Sequence, residues 1–74
     1  MLLHMQAMLQ AMAVQVLVEG PNPKNPNEAM GRTTHNKLTF FPAPQGAAQL
    51  KGQLVDVHIT TVHAFSLFGD MVQR

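Results

Sequence analysis

With 74 residues, no cysteine and a formal net charge of +1, this chain has room for a single domain. It excludes disulfides, thiolate metal sites, thiol nucleophiles and cysteine-held iron–sulfur clusters. Five Lys and Arg against four Asp and Glu fall short of the basic excess usual in nucleic-acid binders, and no apolar run approaches the ~20 residues of a membrane span.

Four of the six methionines fall at Met1, Met5, Met8 and Met12, among Ala and Gln and without Gly or Pro, which is a good helix composition. Leu2, Met5, Leu9 and Met12 recur at helical intervals while Gln6 and Gln10 can face water. A short amphipathic helix is therefore expected over residues 1–13, serving either as a lid on the rest of the domain or as a surface for a protein partner or a second copy. Met1-Leu2-Leu3-His4-Met5 lacks the Lys or Arg of a secretory signal, so a cytoplasmic location is expected and no membrane partner.

From Val14 the period changes to two. Val14, Val16 and Val18 can share one face of a strand, with Gln15 and Glu19 on the other and Leu17 breaking the alternation. Pro21, Pro23 and Pro26 crowd the stretch from Gly20 to Asn27, which predicts an exposed loop carrying the single cation Lys24. Ala29 to Thr34 can form a short strand, His35-Asn36 a tight turn, and Lys37-Leu38-Thr39-Phe40-Phe41 the next strand, ended by Pro42. Ala43 to Gly52 is small and polar apart from Leu50 and reads as a second long loop. Gln53 to Val62 alternates most clearly, Val55, Val57 and Ile59 inward and Asp56, His58 and Thr60 outward. A final strand then places Leu67, Gly69 and Met71 on one face and Ser66, Phe68 and Asp70 on the other. Five short strands without a second layer predict an all-β domain over residues 14–74 that closes, or nearly closes, into a barrel.

Val16-Leu17-Val18-Glu19-Gly20, Met30-Gly31-Arg32-Thr33 with Asn36, Leu54-Val55-Asp56-Val57 and Ser66-Leu67 follow one another in an order and spacing that resemble the TRAM domain of the radical-SAM tRNA methylthiotransferases. The resemblance covers roughly Val16 to Val72. It implies a small five-stranded OB-like β-barrel, here preceded by the short helix, that contacts tRNA or other structured RNA. The methylthiotransferase reaction needs cysteine-bound clusters, which this chain cannot supply, so no enzyme activity and no cofactor are expected of it. Where those TRAM domains commonly carry a basic residue, this chain has Thr34, His58 and Phe68, each of which removes a permanent cation.

Arg32 is the leading candidate for RNA contact, because a guanidinium can grip a phosphate in a fork or stack on a base. Lys37 can add a second phosphate contact across the His35-Asn36 turn, and Asn36 can bond a base edge or a sugar. The plainer account is that Arg32 pairs with Glu28 or Glu19 and Asn36 only accepts a left-handed turn. An outward His58 can still meet a phosphate in mildly acidic conditions. Phe68 can stack on a base or pack beneath the leading helix. Lys24 adds diffuse attraction, as do Lys51 and Arg74.

No metal is expected. His58 and His63 are five apart, an odd offset along a strand that points them to opposite faces, and no neighbouring ligand completes a cluster. Glu19, Glu28, Asp56 and Asp70 are separated by loops and no phosphate cradle or nucleophile motif is present. Two readings follow: a stand-alone RNA-binding module, or a protein-interaction module derived from a methylthiotransferase TRAM domain that docks through its Met-rich helix.

Overall fold

The computed structural model describes residues 13–72, which form five strands and one short 3₁₀ turn. The strands are β1 (Ala13–Asn22), β2 (Asn25–Thr33), β3 (Leu38–Pro42), β4 (Leu54–Val62) and β5 (Ser66–Met71), and the 3₁₀ turn spans Ala47–Leu50. They close into a barrel in the order β1-β2-β3-β5-β4, all neighbours antiparallel except β3 and β5. This is the five-stranded OB-like barrel expected from the sequence. The helix expected over residues 1–13 lies outside the described residues, save that Ala13 is already strand and faces His58 of β4.

The alternation along each strand explains the barrel. Val16 and Val18 of β1, Ala29 of β2, Phe41 of β3 and Val57 and Ile59 of β4 turn inward and are buried, while Val14, Val55, Leu67 and Met71 pack against them. Full burial of one such Val or Phe side chain is worth about 1.5–3 kcal/mol, so a handful of them supplies most of the core's stabilisation. Thr39 is the buried polar side chain among the described residues, and its hydroxyl donates to the Lys37 carbonyl at 3.1 Å, so its burial costs no hydrogen bond.

Two stretches expected to be loops are built otherwise. Gly20 to Asn27 is a β-hairpin: Pro21 lies opposite Ala29, Asn22 opposite Asn25, and the chain reverses at Pro23-Lys24. β1 pairs with β4 only from Ala13 to Leu17, so its last residues are bonded on one side, where proline's missing N–H is tolerated. Register shifts flanking Gly20 and Pro21 absorb the irregularity. Asn22 and Asn25 side chains accept from the Lys24 and Asn27 amides at 3.0 and 3.2 Å, and Asn22 donates to Glu28 at 2.8 Å.

The segment after Pro42 is likewise more than a loop. Its small residues let Ala43 and Ala47 enter the core and the 3₁₀ turn plug one mouth of the barrel, pinned by Ala43 N–H to the Asn27 carbonyl at 2.8 Å and Gly52 N–H to the Val18 carbonyl at 2.8 Å. Small side chains that looked loop-like are thus partly core.

Two glycines mark the tightest crossings. A Cβ at Gly31 would strike the Leu17 carbonyl oxygen and come within 2.6 Å of Val16 Cγ1, and one at Gly69 would strike the His58 carbonyl and lie 2.8 Å from its carbon. Backbone cannot yield as a side-chain tip can, so Gly31→Ala and Gly69→Ala are each expected to cost about 2–4 kcal/mol in a chemical denaturation series followed by circular dichroism. A loss below about 1 kcal/mol at both sites would contradict these crossings.

Candidate nucleic-acid interface

The register collects two turns at one end of the barrel. Leu38 at the start of β3 lies beside Ser66 at the start of β5, so the β2–β3 turn (residues 34–37) and the β4–β5 turn (residues 63–65) are neighbours. The β1–β2 hairpin and the 43–53 segment belong to the other end.

The β2–β3 turn is organised by Thr33. Its hydroxyl accepts from the His35 amide at 3.2 Å and from the Lys37 amide at 3.1 Å, while the Asn36 amide reaches the Thr33 carbonyl at 2.9 Å. Asn36 takes a φ of 62°, the left-handed conformation that asparagine tolerates best after glycine. Thus the plainer role foreseen for Asn36 is present, and Thr33, which sequence reasoning passed over, holds His35 and Lys37 in place. Both of those side chains are exposed.

Arg32 projects from the outer wall of β2, opposite Leu17 and Leu38. Its Nε donates to Glu19 Oε2 at 3.1 Å, the ion pair anticipated as its plainer role, with both side chains largely open to water at 44% and 40% exposure. An exposed pair of this kind is worth about 0–1 kcal/mol, so a phosphate can displace the carboxylate at little cost. No ion pair among the described residues engages Lys37.

Parallel pairing sets Phe40 opposite Phe68 on the outer wall, beside the same turns. The two half-buried rings stack with centroids 5.2 Å apart at 24°, and the exposed His63 ring meets Phe68 edge-on at 5.0 Å and 79°. Phe40 and His63 were absent from the sequence-derived set. The Phe40-Phe41 doublet carried a partial signal, since alternation must turn one ring in and the other out. Across from Phe68 the β4 strand bulges between Ile59 and Thr61, and the Thr60 hydroxyl donates to the Phe68 carbonyl at 3.3 Å.

His58 lies on the outer side of β4, directly opposite Asp70, as a short β4–β5 connection would require. The two form no ion pair, and His58 Nε2 is enclosed without a hydrogen-bond partner among the described residues. Phe68 and Asp70 are two apart on β5, so His58 and Phe68 share one side of the wall. Lys24, at the tip of the β1–β2 hairpin, is not brought to this cluster. A groove of about 510 Å³ at that other end, between Pro42–Gly46 and Asp70–Val72, is lined by none of the sequence-predicted residues. No group of three or more metal-ligating side chains occurs among the described residues, and no described helix is long and apolar enough to cross a membrane.

Thr33→Val keeps the β-branched shape and removes the acceptor shared by two amides. It is expected to lower stability by about 1–2 kcal/mol and to broaden or shift the His35 and Lys37 amide resonances, whereas Thr33→Ser restores both. Unaltered resonances in Thr33→Val would contradict this account of the turn.

Comparison with known proteins bears on the domain as a whole. The family model described as TRAM domain matches residues 13–72. The chain is 47% identical over 60 residues to the tRNA-2-methylthio-N(6)-dimethylallyladenosine synthase of Herminiimonas arsenicoxydans, covering 81% of this chain and 14% of that protein. It is 49% identical over 59 residues to the protein of the same name from Burkholderia thailandensis, covering 78% of this chain and 13% of that one. The chain therefore spans a small fraction of the length of the curated relatives it matches.

Proposed function

Because this chain belongs to the TRAM domain family, a generally RNA-binding family, we propose that it binds tRNA or another structured RNA through the outer wall and turns at the β2–β3 end of its barrel, without catalysing a reaction through its own residues. The observation that carries this reading is the company kept at that end. His63 meets the Phe40–Phe68 stack, Arg32, His35 and Lys37 lie at the same end of the barrel, and neither turn contains a carboxylate.

Each residue then has a role that its chemistry supports. Lys37 offers a mobile cation to a phosphate, and Arg32 exchanges Glu19 for a phosphate oxygen in a forked contact. Exposed Asn36, with His35 beside it, can bond a base edge or a sugar. His58 lies on the same wall but keeps its Nε2 enclosed, and Lys24 contributes only long-range attraction from the far end. With so few cations, binding should be weak, of micromolar order or weaker, and salt-sensitive.

The relatives are named for a tRNA modification, and for this chain a tRNA anticodon stem-loop is the first ligand to try. A fluorescent stem-loop titrated at low and at physiological salt should saturate and should weaken with salt. In an Arg32→Ala/Lys37→Ala variant that remains folded, affinity should fall about tenfold, and the logarithmic salt slope should shrink by roughly 1.5, the loss of two phosphate contacts. No binding even at low salt would overturn the proposal.

A further inference from the structure

Deepening that reading and resting on it, we propose that the Phe40–Phe68–His63 cluster is a stacking platform for an unpaired nucleobase, so that the RNA taken by this wall is single-stranded or looped rather than a continuous duplex. The cluster is an unusual use of a barrel's exterior. Large apolar rings normally turn inward, as Phe41 does, yet Phe40 and Phe68 lie on the outer wall with their rings in contact and only half covered.

Their positions are fixed rather than adventitious. Parallel register aligns them, the edge-on His63 ring holds Phe68 from one side, and the Thr60 hydroxyl anchors the Phe68 carbonyl at the β4 bulge. A preorganised aromatic stack of this kind loses little conformational entropy when a base extends it. Phe65 stands next to the platform at the β4–β5 turn with 89% of its surface exposed, the most open of the large apolar side chains among the described residues.

The surroundings select the occupant. Lys37 and His35 lie on the β2–β3 turn at the same end as the platform and Arg32 on neighbouring β2, while Glu19, paired with Arg32, and Asp70, two residues from Phe68 on β5, lie outside the two turns. An apolar protein partner would gain nothing from that arrangement of cations, whereas a nucleotide offers a flat base to the rings and a phosphate to the cations. A base inside a duplex has both faces already stacked on its neighbours and shows only its edges in the grooves. Only an unpaired base can present a face to the free side of this stack.

The test uses the full chain and two RNAs of matched composition. One is an unpaired strand bearing a fluorescent adenine analogue, and the other is a hairpin stem with the same analogue paired. The expected result is preferential binding of the unpaired strand with quenching of the analogue on binding. Phe68→Leu should lower affinity for that strand about tenfold, and Phe68→Trp should retain it. Phe68→Leu need not fold for the proposal to be decided, because an unquenched analogue in the wild-type complex would overturn it alone. Equal binding of both RNAs, indifferent to Phe68→Leu, would overturn the platform while leaving RNA binding intact. Binding of neither RNA by the folded wild type would overturn both. A concentration-dependent dimer abolished by Phe68→Leu, seen by light scattering, would assign the surface to a second copy and overturn the platform as well.

Discussion

The parallel pairing of Leu38–Phe40 with Ser66–Phe68 is the constraint on which the rest depends. The other four junctions of the barrel are antiparallel, between strands joined by short turns or brought together by the long β1 strand. This one joins strands separated in sequence by the 3₁₀ segment and all of β4, and without it β3 and β5 would be exposed edges. Its register also has a direct chemical consequence. Thr39 and Leu67 are aligned toward the interior, Phe40 and Phe68 toward water, and the β2–β3 and β4–β5 turns are drawn to one end. The aromatic stack and the cations beside it thus follow from how the barrel closes.

Most of the sequence pattern shared with the family serves that closure. Gly31 lets β2 cross against the Leu17 backbone and Thr33 ties down the following turn with two accepted hydrogen bonds, while Gly69, just past the Ser66-Leu67 stretch, lets β5 cross against His58. Glu19 and Arg32 join two of the shared stretches through their ion pair. Hence most of the motif residues specify a scaffold, and of the proposed ligand-facing residues only Arg32 and Asn36 belong to the motif, while Lys37, His35, Phe40, His63 and Phe68 lie between and beyond its stretches. On the proposed reading, a surface with few permanent cations and a pair of stacked rings would favour contacts with bases over dense contacts with phosphates, which would limit affinity and the steepness of its salt dependence.

The strands were legible where alternation was strong. Val14 to Val18 and Val55 to Ile59 gave the right faces because a half-buried strand must alternate. Legibility failed where proline and alanine were read by propensity alone. The prolines of Gly20 to Asn27 sit in a hairpin bonded on one side, and Ala43 and Ala47 are buried in the core. For the candidate site, Arg32, His35, Asn36, Lys37 and Phe68 gather at one end, His58 shares the wall with Phe68, and Lys24 stands apart. Phe40 and His63 were hidden because their proximity to Phe68 comes from a parallel register and a bulge, neither of which any local pattern encodes.

Backbone amide chemical-shift mapping with a tRNA anticodon stem-loop tests most directly whether the β2–β3 end of the barrel is the RNA face. The account predicts perturbations concentrated over residues 32–40 and 58–68, with the β1–β2 hairpin around Lys24 and the 43–53 plug left unchanged. Perturbations centred instead on Lys24 or on the groove between Pro42 and Val72 would contradict it.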